Sequence, residues 1–196
     1  MDLDFKAKFK NACVGVAGLG GLGSNVTVAL VRAGVKKFVL ADFDVVEESN
    51  LNRQVYFREH LGMYKTEALL EILRKINPCV DVKFFTRKIM QDDIREIFSG
   101  VDVLVEAFDK PDEKAMLVNT ALTKLPDVYV VAASGIAGFL SSNSIVTRRK
   151  MDRLYVVGDE MSEADSGAVM MGPRVGIAGL HQANMVLRIL LGEYDV

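Results

Sequence analysis

The stretch Ala12–Asp42 reads ACVGVAGLGGLGSNVTVALVRAGVKKFVLAD. Ala12 to Gly18 is a short apolar run ending on glycine, the pattern of a strand buried on both faces of a parallel sheet. Ser24 to Ala33 follows as a helix with Val28, Leu30 and Val31 among its apolar residues, and Gly34 ends it. Lys37 to Ala41 is a second strand, closed by Asp42. Between the first strand and the helix lies Gly18-Leu19-Gly20-Gly21-Leu22-Gly23. This glycine spacing is weak by itself. With a strand before it, a helix after it and Asp42 nineteen positions beyond Gly23, it reads as a dinucleotide-type phosphate turn. Gly18 and Gly20 permit the tight turn and let a phosphate approach the backbone, with Gly21 beside them, and Gly23 lets helix and strand pack closely. The helix start, near Leu22 to Ser24, offers free N–H groups and a positive dipole end to a phosphate. Asp42 is placed to bond ribose hydroxyls.

The alternation continues outward. Lys65 to Ile76 carries Leu69, Leu70, Leu73 and Ile76 at helical spacing, and Asn77-Pro78 stops it. Val80 to Thr86 reads as a strand, Asp92 to Phe98 as a short helix, Asp102 to Ala107 as a strand, Asp112 to Leu122 as a helix and Val128 to Ala133 as a strand. Such β-α alternation predicts a Rossmann-like, doubly wound, mostly parallel sheet covered by helices on both faces. After Ser134 the pattern changes: Ser144 to Arg148 and Leu154 to Val157 read as short antiparallel strands. Gly158 to Gly172 is an acidic loop whose Asp159, Glu160, Glu163 and Asp165 are expected in solvent. Arg174 to Leu191 is a last amphipathic helix, ended by Gly192.

Composition sets the bounds. With 196 residues, half of them hydrophobic, one domain over residues 1–196 is expected. A net charge of -2 supplies no global field for nucleic acid. Cys13 and Cys79 form no C-x-x-C pair, so neither a disulfide framework nor a cysteine zinc site is expected, and a reducing cytoplasm fits. Met1 to Lys10 lacks the apolar run of a signal peptide. His60 and His181, the only histidines, are expected to be structural.

A Rossmann turn suggests NAD first, but Asp42-Phe43-Asp44-Val45-Val46-Glu47-Glu48-Ser49-Asn50-Leu51-Asn52-Arg53-Gln54 is long and polar. "GLGGLGSNVTVALVRAGV", "ADFDVVEESNLNRQ" and "GMYKTEALLEILRKINP", in that order, resemble the superfamily that adenylates ubiquitin-like proteins, whose bacterial members include the ThiF family of thiamine biosynthesis and the molybdopterin-synthase adenylyltransferases. The string S-N-L-N-R-Q is far more specific than the glycine motif, and the likeness runs from about Ala12 to Gly192. The resemblance implies ATP as nucleotide. Gly18, Gly20, Gly21, Gly23, Asp42, Asp44, Asn50, Arg53 and Lys65 would bind it. Arg53 and Lys65 would supply positive charge, and Asp109, in "EAFDKPDEK", would hold Mg2+. It also implies a small ubiquitin-fold sulfur carrier ending in Gly-Gly as partner, a homodimer, and a loop near Asp159 to Asp165 that crosses the carrier's tail.

Adenylation makes sense of these residue types independently. A terminal carboxylate, with a pKa of about 3.5, is already the nucleophile at neutral pH. The site must supply position and positive charge rather than a general base. Three features depart from many relatives: no zinc cysteines, no clear cysteine for sulfur transfer, and Lys6, Lys8 and Lys10 but no arginine in Met1–Lys10. An NAD-dependent oxidoreductase uses the same turn and Asp42 but leaves Arg53 and Lys65 without a role. The same residues also admit a non-catalytic nucleotide-binding partner, or an enzyme that activates a tRNA carboxylate.

Overall fold

The structure is a computed structural model that describes residues 3–162 and 169–196. Seven strands form one sheet in the order β3-β2-β1-β4-β5-β7-β6. They are β1 Cys13–Ala17, β2 Lys37–Ala41, β3 Asp81–Phe85, β4 Val103–Glu106, β5 Tyr129–Ala133, β6 Val146–Met151 and β7 Leu154–Gly158. The helices are α1 Leu3–Asn11, α2 Gly21–Ala33, α3 Lys65–Ile76, α4 Asp93–Phe98, α5 Pro111–Lys124 and α6 Gly172–Leu191. Strands β1 to β5 and β7 run parallel, and β6 alone runs against its neighbour β7. The Rossmann-like expectation therefore holds, and only one of the two late strands is antiparallel to the rest.

Side-chain alternation along the strands divides the core. Val14, Val16, Phe38, Leu40, Val103 and Val105 pack with Leu30, Leu69, Leu73, Val175 and Val186 under α2, α3 and α6. Val39, Leu104, Val130 and Ala132 point the other way, toward Ile94, Phe98, Leu117 and Ala121 of α4 and α5. A strand with both faces covered needs no polar residue, which is why β1 reads as a continuous apolar run; β4 carries Val103, Leu104 and Val105 before its final Glu106.

Several element bounds differ from the sequence expectation by one to three residues, β6 among them at Val146–Met151, and one element is new. Helix α2 begins at Gly21, not Ser24, so three residues of the glycine motif are helical. Glycine's low helix propensity conceals them. Helix α1 precedes β1, where no element is expected. Its charges alternate with single apolar residues, but Phe5 and Phe9, four apart on one helical face, touch each other, with ring centroids 5.9 Å apart, and join the core. Gly34 and Gly192 close α2 and α6 in the left-handed conformation (φ 107° and 87°), as the sequence predicts.

The expectation of a solvated Asp159 is corrected. Asp159 forms an ion pair with Arg174, and both side chains are buried. Arg174, in the first turn of α6, also donates to the carbonyls of Leu140 and Ser141 and to Ser144 Oγ. A buried guanidinium needs a counter-charge, and among the described residues Asp159 supplies it. Burial pushes the Asp159 carboxyl up, but the amides of Ser162 and Met161, the Ser162 hydroxyl and Arg174 outweigh it and hold it below its ordinary value. Glu160 pairs with Arg148 and Lys150. Glu163 and Asp165 lie outside the described residues. Among the described residues no helix is long and apolar enough to cross a membrane.

Candidate nucleotide site

The strand order reverses its direction of growth at β1, between β2 and β4. Beyond the carboxyl ends of β1 and β4 the chain must diverge, leaving a crevice at the switch point. Gly18 to Gly21 follow β1 and Ala107 to Lys110 follow β4, so both predicted loops open on it.

The glycines have separate duties. Gly18 has φ 90°, and a Cβ there would lie 2.5 Å from the Ala107 carbonyl oxygen. Its absence lets the turn pack on the end of β4, a steric role rather than a phosphate contact. A Cβ on Gly23 would lie 1.8 Å from the Gly18 carbonyl oxygen, so Gly23 admits the turn as much as the strand. A Cβ on Gly20 would meet only Gln54 Nε2, at 3.7 Å. Gly20 is therefore the glycine whose open side faces an approaching group. It is also the N-cap of α2 and provides no side-chain cap. The first amides of α2 remain open to an anion, as the motif requires.

Asp42 is 8% exposed. Its Oδ2 accepts the Leu19 amide at 2.6 Å and its Oδ1 the Asp44 amide at 2.8 Å. The carboxylate thus fastens the end of β2 to the glycine turn. Each oxygen keeps a further lone pair for a ribose hydroxyl. Burial pushes its pKa above the usual value, with Lys65 and the two amides acting in the opposite sense. Beneath it, Tyr56 donates to the Leu19 carbonyl at 2.8 Å, and burial first, then Asp42 and Asp44, raise its phenol well above its ordinary range.

Lys65 is the first residue of α3 and is buried. Its ammonium lies 2.6 Å from Asp44 Oδ2. The cation is in the expected place but is partnered by Asp44, itself expected among the nucleotide ligands. Arg53 lies beside the α2 N-terminus: a Cβ on Gly21 would meet Arg53 Cγ at 3.5 Å. Its Nη1 donates to the Ser49 carbonyl and to Asn52 Oδ1, each at 2.8 Å. Asn50 is buried and closes the preceding 3-10 turn, accepting the Glu47 amide. It acts as a fastener in this structure rather than as an open ligand.

Asp109 follows β4 in an exposed position, and its side chain has no hydrogen bond or ion pair among the described residues. It does not cap α5, whose N-cap is Lys110. Among the described residues no three His, Cys, Asp or Glu side chains gather to hold a metal. A lone open carboxylate beside an anion-binding turn fits Mg2+ that takes its remaining ligands from phosphate and water.

Sequence reasoning gave no role to three residues of the site. Asn25 Nδ2 donates to the Gly21 carbonyl at 2.7 Å and to the Arg53 carbonyl at 3.1 Å, joining the two halves of the site. Gln54, last of the S-N-L-N-R-Q string, faces Gly20, and its buried Oε1 has no partner among the described residues. Gly172 brings the start of α6 against the Asn52 carbonyl, where a Cβ would lie 2.5 Å away. An asparagine in the first turns of a mostly apolar helix is the one signal that could have found Asn25. His60 is structural, as expected: it is buried and its Nδ1 accepts the Phe57 amide at 2.9 Å. Cys13 and Cys79 both lie at or before the amino ends of their strands, on the opposite edge of the sheet from the crevice.

Known proteins resemble this chain in sequence and in fold. The chain is 31% identical over 192 residues to "Adenylyltransferase and sulfurtransferase UBA4" of Kluyveromyces lactis, covering 95% of this chain and 43% of that protein. It is 30% identical over 185 residues to UBA4 of Yarrowia lipolytica, covering 92% and 46%. The chain thus spans less than half the length of these relatives. In fold it resembles E. coli tRNA N6-threonylcarbamoyladenosine dehydratase, TcdA, solved with ATP, with a TM-score of 0.89 at 21% identity over 97% of this chain and 90% of that one. E. coli MccB, solved with ATP, superposes with a TM-score of 0.75 at 23% identity over 97% and 58%. The sequence profile of the ThiF family matches residues 1–196, and the chain belongs to that family.

Proposed function

We propose that this protein adenylates the C-terminal glycine carboxylate of a small ubiquitin-like sulfur carrier at the expense of ATP, in the service of thiamine biosynthesis. The observation that carries the reading is the uncapped start of α2 with Gly20 open to the crevice, Asp42 on one side and the Arg53 side chain laid along Gly21 on the other. In the expected reaction a carrier carboxylate oxygen attacks the α-phosphorus of ATP. The bond to the bridging oxygen breaks, and pyrophosphate leaves with the electron pair. The α2 amides and the Arg53 guanidinium meet the charge gathering on the phosphates. Lys65 adds to it once a phosphate competes with Asp44 for the ammonium. Asp42 orients the ribose. Mg2+, held by Asp109, would neutralise phosphate charge.

Support comes from the UBA4 relatives, named as adenylyltransferases, and from the ATP-bound solved structures of this fold. A nicotinamide reading leaves Arg53 and Lys65 without work. The sulfurtransferase half of the UBA4 name finds no thiol beside the crevice among the described residues, so the proposal stops at the acyl-adenylate. A homodimer is part of the same reading.

The test is pyrophosphate exchange into ATP with purified protein and carriers ending in Gly-Gly from the same organism. Exchange that requires the carrier and is lost on removing its last glycine is the expected result. Exchange supported by a tRNA and by no carrier would move the substrate to nucleic acid; exchange with neither would end the enzymatic reading.

A further inference from the structure

Glu106 ends β4 and is fully buried. Its Oε1 accepts the Phe108 amide at 2.7 Å. Both its oxygens accept Lys114 Nζ, at 3.1 and 3.0 Å, and Lys114 donates as well to the Ala133 carbonyl at 3.1 Å. Lys114 is the fourth residue of α5. One ion pair therefore grips the strand end and the first turn of the helix, the two ends of the span Ala107 to Lys110 that carries Asp109. The backbone of that span is held on its other side too. The Ala107 amide donates to the Ala17 carbonyl at 2.8 Å, and Gln182 Nε2 donates to the Glu106 carbonyl at 3.1 Å.

We propose that Glu106 and Lys114 are positioning residues that fix Asp109 against the triphosphate, an inference that rests on Asp109 holding the metal ion. With Glu106 buried and Lys114 partly exposed, such an ion pair is a modest source of stability, because desolvating the carboxylate offsets much of its attraction for the ammonium. What such a pair does supply is direction. Its hydrogen bonds fix the Phe108 amide and the first turn of α5 on either side of a carboxylate that has no hydrogen bond or ion pair of its own among the described residues. A one-point ligand for a metal that demands near-octahedral geometry has to be presented at a fixed place.

The test measures binding of the ATP analogue AMPCPP by calorimetry, with Mg2+ and in excess EDTA, alongside thermal melting. Asp109→Ala should abolish the gain in affinity that Mg2+ confers. Lys114→Met and the double variant Glu106→Leu/Lys114→Met should reduce that gain about tenfold or more, with metal-free binding unchanged within about twofold. Lys114→Arg should restore it. The double variant removes both charges, so its fold does not depend on one stranded ion. If it melts as the wild type does and keeps the full Mg2+ gain while Asp109→Ala loses it, the positioning role is refuted. If Asp109→Ala also keeps the gain, the metal assignment itself fails and the positioning role falls with it.

Discussion

Lys65 Nζ stands 2.6 Å from Asp44 Oδ2, and the Lys65 amide donates to the Asp44 carbonyl at 2.9 Å. Main chain and side chain thus hold the same two residues together, joining the end of β2 to the start of α3. An ammonium at a helix N-terminus opposes the helix dipole. Asp44 is the counter-charge that lets it stay there, and the triphosphate is the competitor proposed to replace it.

The two partners should behave differently when removed. Lys65→Met should lower carrier-dependent exchange by about 10²-fold and leave the melting temperature nearly unchanged. Asp44→Asn strands a buried ammonium and should cost about 1–2 kcal/mol, less than a fully buried pair because Asp44 is half exposed. ATP should recover part of that loss, because its phosphates supply the missing charge. Melting curves of both variants with and without ATP check this. Equal destabilisation in both would place the pair outside the site.

Gly20 and Gly23 separate folding from binding. Gly23→Ala drives a Cβ to 1.8 Å from the Gly18 carbonyl oxygen, and should cost about 3 kcal/mol or more. Gly20→Ala meets nothing closer than 3.7 Å and should fold normally. Its methyl projects into the phosphate approach, so ATP affinity should fall at least tenfold. Calorimetric titration of a Gly20→Ala protein with wild-type melting behaviour decides the matter.

The parts legible in the sequence are those with a period or a position. The apolar run of β1, the 3.6-residue rhythm of α3 and the acid at the end of β2 locate the crevice and Asp42 from sequence alone. The S-N-L-N-R-Q string brings Arg53 to it. Pairings made across the fold are not legible. Asp159 reads as one of several loop acids, and only the docking of α6 gives it Arg174. Nothing in the spacing of Glu106 and Lys114 announces that they pair. Their meeting depends on where α5 lies on the sheet. The glycine start of α2 escapes a sequence reading because local propensity opposes a helix that packing enforces.

Arg53 is held through its Nη1 by a carbonyl and an amide oxygen, neither of which neutralises it. Arg53→Ala should therefore cost little stability, within about 0.5 kcal/mol, and should slow exchange by about 10²–10³-fold. Arg53→Lys should not rescue it, since an ammonium lacks the planar fork that keeps both tethers on one nitrogen while the other nitrogens face a phosphate. Rates near wild type in the lysine variant would show that position 53 supplies charge alone.

Asp42 makes binding depend on pH with a sign that can be stated in advance. Burial raises its native pKa above the unfolded value of about 3.9. Between the two values the folded state holds the extra proton. Its contribution to stability is therefore full below the unfolded value and is lost as the pH rises through the native one. Nucleotide binding runs the opposite way. In the proposed site ribose hydroxyls donate to the ionised carboxylate, so ATP affinity should weaken on acidification at a higher pH than an ordinary aspartate would cause. Asp42→Asn places an amide nitrogen against the Leu19 or Asp44 N–H, donor against donor. It should cost about 1–3 kcal/mol, bind ATP weakly, and remove this step from the affinity profile. Calorimetric titrations of both proteins from neutral pH toward acid, at fixed ionic strength, measure it. Matching profiles, once the titration of ATP itself is subtracted, would take the ribose away from Asp42 and leave that carboxylate as a fastener of the turn.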